Sequence, residues 1–292
     1  MSSRPSAVAD RMGAAGQGGY LGRLGARIAV VGTSLCLGVD PDPDALPAGF
    51  SRDLAGVERF AQLILEAAMP RAAAVKFNLA FYEAFGSAGI AALERLRARV
   101  PADVPFIADA KRGDIASTVA RQTVAIFDAL GADAVTLNPY LGRDSLEPFL
   151  ARTDRFAYVL CRTSNPGAAE LQGLTVDGQP LFLAVARRVA RWADDGAQVG
   201  LVVGATAPQE LVEVRAAAPA LPVLVPGLGA QGGDQAVVLA AGPARSGNAA
   251  QIRGGALLVN VSRGIAAAAL EHADPQAALA EAAGRWATTL QC

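Results

Sequence analysis

Residues 105–118 read Pro105-Phe-Ile-Ala-Asp-Ala-Lys-Arg-Gly-Asp-Ile-Ala-Ser-Thr118, a short apolar run that ends in charged residues and leads into a helical pattern. This pattern predicts a β-strand followed directly by a helix. Side chains alternate between the two faces of a strand, so Asp109 and Lys111 share one face. Asp114 follows a glycine, where an aspartate can cap the start of the helix. We therefore expect two carboxylates to flank one ammonium at the carboxyl end of the strand.

Lysine is rare in this chain. The sequence contains 26 Lys and Arg residues together, of which only Lys76 and Lys111 are lysines. An ammonium can give up its proton at usable pH, whereas a guanidinium cannot. The lysine at the strand end therefore indicates a need for an acid. The alternative is structural, a salt bridge beside a helix cap, and the segment alone leaves it open.

Length and composition limit the class of protein. At 292 residues the chain could be one large α/β domain or two small domains. A net charge of −1 argues against a nucleic-acid partner, which would need a basic face. No apolar run approaches the roughly 20 residues that span a bilayer, so we expect a soluble protein with no membrane partner. Residues 1–20 lack the apolar core of a secretion signal and are predicted to be a flexible tail, with residues 21–292 forming the domain.

Cysteine and histidine usage narrows the chemistry. Cys36, Cys161 and Cys292 are far apart and in no CxxC motif, which predicts free thiols in a reducing cytoplasm. His272 is the only histidine, so a histidine-dependent triad and an HExxH zinc site are both excluded. No metal site is expected. Proton transfer must therefore use Lys, Asp, Glu, Tyr or Cys.

From Ser34 onward, short runs rich in Val, Ile and Leu alternate with helical patterns. The runs predict strands at 35–40, 73–79, 106–111, 134–138, 157–163, 199–204, 223–227 and 256–261. The patterns between and after them predict helices that include 54–69, 89–99, 117–130, 181–194, 208–217 and 265–287. Eight strands with helical crossovers are what a single closed (β/α)8 TIM barrel requires, and a doubly wound open sheet is the competing architecture.

In a TIM barrel the functional side chains gather at the carboxyl ends of the strands. Nearly every predicted strand ends in polar or charged residues: Asp40, Lys76 with Asn78, Asp109 with Lys111, Asn138, and Thr163 with Ser164. The seventh strand is followed by a glycine-rich stretch, 227–233, and the eighth by Arg263 at the start of the last helix. Backbone N–H groups and guanidinium forks bind phosphate in such places. The sequence therefore predicts a phosphate site beside these two strands.

Two connections are longer than is usual within a compact domain. Residues 164–180 follow the fifth strand and have the glycine, proline and polar content of a lid that folds over a ligand. Residues 242–255 form a second long segment, which we expect to lie beside the phosphate site and to close on it.

Together, the strand ends resemble those of the orotidine 5′-phosphate decarboxylase family over about residues 35–263. The resemblance is closest to the longer bacterial branch, in which the charged segment reads Asp-Ala-Lys-Arg-x-Asp-Ile, matched here by residues 109–115. The resemblance implies decarboxylation of orotidine 5′-phosphate to uridine 5′-phosphate in pyrimidine biosynthesis. It also implies a homodimer with shared active sites and no metal or organic cofactor. The first 33 residues are the one departure, being longer than we expect of the family.

The resemblance further implies roles for individual residues. Lys76, Asp109, Lys111 and Asp114 would form the catalytic array, with Asp114 and Ile115 reaching into the neighbouring subunit's site. The substrate contacts would be Asp40 to the ribose hydroxyls, Ser164 to the pyrimidine, Gln231 and Arg263 to the 5′-phosphate, and Asn78, Ile115 and Thr118 as further binding residues.

The implied chemistry suits these residue types. Loss of CO₂ from carbon 6 of the orotate ring leaves an anion in the ring plane with no π-system to delocalise it, so electrostatics must lower the barrier. Asp109 would crowd the substrate carboxylate, while Lys111 would stabilise the developing carbanion and protonate it.

Two other functions stay open at this stage. A metal-dependent sugar-phosphate aldolase or keto-acid decarboxylase of the same superfamily would place an acidic metal ligand on the second strand, where this chain has Lys76. A non-catalytic nucleotide-binding barrel would have little reason to keep both lysines. An assay on orotidine 5′-phosphate with and without a chelator separates the three functions.

Overall fold

Eight parallel strands form a closed barrel in the computed structural model, which describes residues 19–229 and 232–292. The strands are β1 (Leu35–Gly38), β2 (Ala74–Asn78), β3 (Phe106–Arg112), β4 (Ala134–Leu137), β5 (Phe156–Arg162), β6 (Val199–Val203), β7 (Val223–Pro226) and β8 (Leu258–Val261). Each strand pairs with its neighbours in sequence, and β1 also pairs with β8. The predicted (β/α)8 barrel is confirmed, every strand lying within two residues of its predicted bounds.

Helices surround the barrel. They are α1 (Tyr20–Val31), α2 (Leu54–Ala68), α3 (Gly86–Ala98), α4 (Ala116–Thr123), α5 (Leu181–Asp194), α6 (Pro208–Ala217), α7 (Gln235–Ala241) and α8 (Pro275–Thr289). Between these elements lie short helical turns: Pro43–Ala45, Met69–Arg71, Ala80–Glu83, Glu147–Leu150, Pro166–Ala168, Ala169–Gln172, Gly247–Ala250, Arg253–Ala256, Arg263–Ala266 and Ala267–Ala269. No helix in the described ranges has the length and apolar character needed to cross a membrane.

Two predicted helices differ from the observed ones. The helix predicted at 117–130 is α4 followed by a π-helical turn, Val124–Ala129. The helix predicted at 265–287 is broken, because α8 starts afresh at Pro275 with Asp274 as its N-cap. The Asp274 carboxylate accepts from the Ala277 N–H at 3.0 Å, which is an ordinary helix start signal.

Alternation along the strands divides the buried side chains between two layers. Along β2, Val75 and Phe77 pack in the layer between strands and helices, whereas Ala74 belongs to the layer inside the barrel. The inner layer is filled by apolar side chains at the amino ends of the strands, including Ile107 and Leu258. Toward the carboxyl ends the inward positions become polar, beginning with Lys76. The fold thus places its polar groups at one end of the barrel.

Helix α1 closes the amino-terminal end of the barrel. Tyr20 is buried, stacks on Phe156 with ring centroids 4.8 Å apart, and shares a hydrogen bond with the Tyr158 hydroxyl at 3.1 Å. Arg23 pairs with Asp133 at 2.7 Å, just before β4. Tyr20 therefore belongs to the domain rather than to the predicted tail, whose residues 1–18 lie outside the described residues.

The segment 242–255 lies at the amino-terminal end as well, so its predicted closure over the phosphate site is wrong. It connects α7 to β8, and a connection that leads into a strand arrives at the amino end of that strand. Ile252 packs against the inner apolar layer and beside Gly25 of α1. The segment therefore belongs to the base of the barrel.

Candidate active site

The carboxyl ends of the strands open into a cavity of about 1030 Å³. Seven predicted site residues line it, namely Asp40, Lys76, Asn78, Asp109, Lys111, Ser164 and Arg263. Gln231 lies outside the described residues. Asp114, Ile115 and Thr118 are not part of the described lining. The volume is at the upper end of what small-molecule sites occupy, which leaves room for a nucleotide.

Charged side chains from the first three strands meet on one wall of this cavity. Lys76 Nζ donates to Asp109 Oδ2 at 3.0 Å and lies 3.6 Å from Asp40 Oδ2. Lys111 Nζ donates to the other oxygen of Asp109, Oδ1, at 2.7 Å. The Asp109 carboxylate is therefore held between two ammonium groups, one on each oxygen.

This arrangement fixes the charge of the buried groups. Burial by itself would raise the pKa of Asp109, but Lys76 and Lys111 outweigh burial and hold that pKa well below its usual range. Burial by itself would lower the pKa of Lys76, but Asp109 and Asp40 outweigh burial and raise it. Asp109 is thus an anion and Lys76 a cation across the neutral pH range.

Asp40 and Asn78 lie beside the array. Asp40 Oδ1 accepts from the backbone N–H of Asn78 at 2.7 Å, and Asn78 Oδ1 accepts from the N–H of Ala80 at 3.3 Å. An ionised carboxylate accepts about four hydrogen bonds, so Asp40 retains capacity for a ligand hydroxyl. The ribose contact of Asp40 stays a prediction.

Strand β3 carries a bulge where the array is built. Ala108 pairs with Val135 and Arg112 with Leu137, so residues 109–111 face Thr136 alone on β4. The Thr136 hydroxyl donates to Asp109 Oδ1 at 2.8 Å. We did not predict this residue from the sequence. Its position could have revealed it, because Thr136 is the polar residue on the inward face one place before the end of β4.

Asp114 does not cap α4, contrary to the prediction. Ile115 occupies the N-cap position in extended backbone, and Asp114 Oδ1 accepts from the backbone N–H of Ile115 at 2.7 Å. Among the described residues, Asp114 forms no ion pair with Lys76 or Lys111. Ile115 is 69% exposed and Thr118 is also exposed. These three residues therefore do not join the site within a single subunit.

The β7–β8 side of the cavity, across the barrel from β3, is lined by glycine and arginine. Gly227, Gly229 and Gly264 border it, and Gly227 has a φ of +94°, which favours glycine. Arg263 lines the same side and has no ion-pair partner in the described part of the chain. Its guanidinium is therefore available to an anion.

The side of the cavity formed by β5, β6 and β7 combines an apolar wall with polar groups from the loop after β5. Leu160, Val202 and Leu224 line the cavity. Ser164 lies against Gly204, where a Cβ would come within 2.7 Å of the Ser164 Cβ, so only glycine allows this approach. Ser164 is thus placed beside an apolar surface that suits a planar ring.

The predicted lid, residues 164–180, has local structure of its own. It contains two helical turns, Pro166–Ala168 and Ala169–Gln172, and a hairpin that pairs Thr175–Val176 with Gln179–Pro180. The Gln172 amide accepts from the N–H of Thr163 at 2.9 Å and donates to its hydroxyl at 2.8 Å. Asn165 and Gln172 line the cavity. The segment is therefore attached at the end of β5 and borders the site.

Metal ligands and reactive thiols do not collect at this site. Within 19–229 and 232–292, no three His, Cys, Asp or Glu side chains are grouped as a metal ion would require. All three cysteines are free. Burial raises the pKa of Cys36 and of Cys161 to about 12, so neither is a thiolate at neutral pH.

Comparison with known proteins identifies the family. A sequence profile described as the orotidine 5′-phosphate decarboxylase / HUMPS family matches residues 33–282. A protein named orotidine 5′-phosphate decarboxylase from Herpetosiphon aurantiacus is 48% identical over 234 residues, which are 80% of this chain and 84% of that protein. One of the same name from Thermomicrobium roseum is 47% identical over 263 residues, which are 89% of each chain.

A solved structure gives the same result. The structure of Leishmania donovani OMP decarboxylase matches with a TM-score of 0.78 at 38% identity, over 94% of this chain and 100% of that one. Similarity of this extent covers the whole barrel and the site within it. The chain is therefore a carboxy-lyase that belongs to the orotidine 5′-phosphate decarboxylase / HUMPS family.

Proposed function

We propose that this chain converts orotidine 5′-phosphate to uridine 5′-phosphate without a metal or organic cofactor, and that Lys111 supplies the proton that replaces CO₂. The observation that carries the proposal is the placing of Lys76, Asp109 and Lys111 on one wall of a cavity whose far side presents Arg263. A negatively charged reacting centre and a phosphate can thus be held at the same time.

The proposed chemistry begins with the substrate carboxylate beside Asp109. Two carboxylates close together repel each other, which raises the energy of the bound ground state. The bond between carbon 6 and the carboxylate then breaks, CO₂ leaves, and the electron pair stays on carbon 6. The Lys111 ammonium stabilises that pair and transfers a proton to it, becoming an amine that regains a proton from water.

Distant contacts supply the binding energy. Arg263 and the glycine-lined backbone would grip the 5′-phosphate, with Gln231 as a further phosphate contact. Asp40 would accept from the ribose hydroxyls, and Ser164 would contact the pyrimidine. Energy from gripping a non-reacting phosphate can offset the repulsion at the reacting carbon.

The proposed independence from metal is supported by the partners of the carboxylates. Asp40 and Asp109 both face the Lys76 ammonium, at 3.6 and 3.0 Å. A divalent cation at this point would repel or displace the Lys76 ammonium. The Lys76 side chain is only 4% exposed, so the ammonium could not move away into solvent. The two carboxylates therefore serve as partners of lysine.

The proposal includes a homodimer. Four large apolar side chains lie exposed after β3 and β4, namely Ile115 at 69%, Val124 at 48%, Tyr140 at 78% and Leu141 at 50%. A group of this kind is typical of a surface covered by a partner. In such a dimer Asp114, Ile115 and Thr118 would reach the neighbouring subunit's cavity.

The free thiols favour a cytoplasmic location.

An ultraviolet assay tests the reaction. Loss of the orotate chromophore is followed with orotidine 5′-phosphate, in the presence and absence of a chelator. We expect equal rates in both, because no step uses a metal. Activity that the chelator abolishes would indicate the metal-dependent aldolase or keto-acid decarboxylase chemistry, and binding of the nucleotide without turnover would indicate a non-catalytic barrel.

A further inference from the structure

The backbone of Lys111 adopts an unfavourable conformation. Its φ is +48°, in the left-handed region that residues with a side chain rarely occupy. Such a conformation persists only where surrounding contacts hold it, and it is often found at functional sites. In this chain it occurs inside the β3 bulge, at the proposed proton donor itself.

Thr136 is the residue that holds this backbone. It faces the three bulged residues alone, is 1% exposed, and its Oγ1 accepts from the backbone N–H of Lys111 at 3.0 Å. The same oxygen donates to Asp109 Oδ1 at 2.8 Å. That carboxylate oxygen also accepts from Lys111 Nζ at 2.7 Å. The Thr136 hydroxyl therefore links Asp109 to the backbone N–H of Lys111, while the Lys111 ammonium bonds the same Asp109 oxygen. The three residues form a closed ring of hydrogen bonds.

We propose that Thr136 is a positioning residue for decarboxylation: its hydroxyl orients the Asp109 carboxylate and the Lys111 backbone so that the ammonium lies at the reacting carbon. This proposal rests on the function proposed above. A hydroxyl is required because one atom must both accept and donate. A β-branched residue restricts the hydroxyl to few rotamers, which fixes its direction.

The chain contains a matched control for the loss of such a hydroxyl. Thr33 is also 1% exposed, and its Oγ1 donates to the Leu290 carbonyl at 3.1 Å and accepts from the Leu35 N–H at 3.2 Å. It lies before β1, at the end of the barrel away from the cavity. Thr33→Val and Thr136→Val thus remove the same kind of buried hydroxyl, one of them far from the site.

The experiment compares Thr136→Val, Thr136→Ser and Thr33→Val by kcat, KM, uridine 5′-phosphate affinity and thermal unfolding. We expect Thr136→Val to lower kcat on the order of 100-fold, as misplacement by about 1 Å can do, with product affinity nearly unchanged. Thr136→Ser should recover most of kcat. Thr33→Val should lose stability while keeping its kcat.

The split between kcat and KM is the readout that a purely structural role would not move. Asp109 keeps both ammonium partners in Thr136→Val, so the carboxylate is retained and only its orientation changes. The loss should therefore fall on kcat in Thr136→Val, with KM nearly unchanged, and on neither constant in Thr33→Val.

The proposal is overturned if Thr136→Val keeps kcat within about threefold of wild type, or if Thr33→Val loses as much kcat. It is also overturned if Thr136→Ser is as slow as Thr136→Val, because the hydroxyl would then not be responsible. Should Thr136→Val fail to fold, Thr136→Ala carries the same expectation and the same threshold. A wild-type protein that does not decarboxylate the substrate overturns the proposed function as well, whereas an active wild type with an indifferent Thr136→Val overturns the role of Thr136 alone.

Discussion

Lys76 and Lys111 carry the same charge in surroundings that suit them to different tasks. The side chain of Lys76 is 4% exposed and paired with Asp109 and Asp40, and these carboxylates raise its pKa. The side chain of Lys111 is 48% exposed at the cavity and pairs with Asp109 alone among the described residues. The Lys111 ammonium is thus open to a ligand in the cavity, whereas the Lys76 ammonium is buried between two carboxylates. This difference supports the proposal that Lys111 is the proton donor, with Lys76 as a fixed positive charge beside Asp109.

The first prediction concerns Lys111→Arg. The variant keeps a positive charge beside Asp109 but replaces a compact acid with a planar guanidinium that does not release its proton. We expect kcat to fall by roughly 10²- to 10⁴-fold, the range for loss of a general acid. Steady-state rates on orotidine 5′-phosphate measure the change.

Lys76→Arg is the matched comparison, because it places the same guanidinium at the buried position. There we expect a loss of stability, since a larger group must fit a closed space. Uridine 5′-phosphate binding shows whether Lys111→Arg still forms the site. If Lys111→Arg bound product normally and retained most of its kcat, another group would have to be the proton donor.

At the scale of elements, the strands could be read from the sequence because each is a short apolar run that ends in polar residues. Helix α1 could not be read from the sequence, because Gly19 at its N-cap makes no side-chain hydrogen bond and its first turn has no acidic residue. The placing of 242–255 was within reach, because the chain order alone sets this segment before β8. The bulge at residues 109–111 could not be predicted from the sequence, because it depends on how β3 pairs with β4.

The site, like the fold, was predictable where it depends on strand ends and not where it depends on strand pairing. Side chains at strand ends, such as Asp40 and Arg263, were found because the barrel collects them at one rim. Asp114 was misread as a cap because β3 continues to Arg112 and the helix begins only at Ala116. Thr136 was missed although its position near the end of β4 was readable, but its bonds to Asp109 and Lys111 depend on the bulge and could not be predicted.

Two buried arginines hold the outer helices together in the same way. Each arginine lies near the end of its helix and donates to backbone carbonyls at that end and after the next helical segment. Arg97 of α3 donates to the carbonyls of Val100 and Gly131. Arg215 of α6 donates to the carbonyls of Ala218 and Ala241. Carbonyls at helix ends lack intrahelical partners, so these bonds satisfy them. The helices that carry them follow β2 and β6, which are four strands apart. The barrel wall thus uses one arrangement twice.

The second prediction concerns Arg263, at the start of the short helical turn after β8. Arg263→Ala should weaken binding of uridine 5′-phosphate by about 1.5 to 3 kcal/mol, the scale of one hydrogen bond to a charged group. Binding of uridine, which lacks the phosphate, should hardly change. Calorimetric titration with both ligands measures the difference.

Arg285→Ala controls for the loss of one positive charge, because Arg285 is exposed on α8 and pairs only with Glu281 at 2.6 Å within the described residues. It should leave both affinities unchanged. Equal losses for nucleotide and nucleoside in Arg263→Ala would mean that the phosphate is held elsewhere.

At the scale of the whole molecule, one subunit holds an incomplete version of the proposed array. Asp114 follows β3 yet makes no ion pair with either lysine in the described chain, and Ile115 beside it is 69% exposed. In a two-fold dimer both residues can cross to the partner, and the crossing is reciprocal. Each active site would then combine Lys76 of one subunit with Asp114 of the other.

The third prediction is a complementation of two inactive variants. Lys76→Ala and Asp114→Ala homodimers should each be nearly inactive, because every site contains one lesion. In a mixed dimer both lesions fall in one site and the other site is intact. Refolding equal amounts together should restore about a quarter of wild-type activity, since about half of the dimers are mixed and each has one good site of two.

The recovered activity separates a shared site from a site contained in one subunit. If Asp114 served its own subunit, each site of a mixed dimer would carry one lesion, and the mixture would stay as inactive as its parents. Subunit exchange must be shown independently, for example by ion exchange, because Lys76→Ala loses a positive charge and Asp114→Ala a negative one, which resolves the mixed dimer from both parents. An inactive mixture with exchange demonstrated would place Asp114 in its own subunit, whereas recovery of about a quarter would require that the two side chains meet across the two-fold axis.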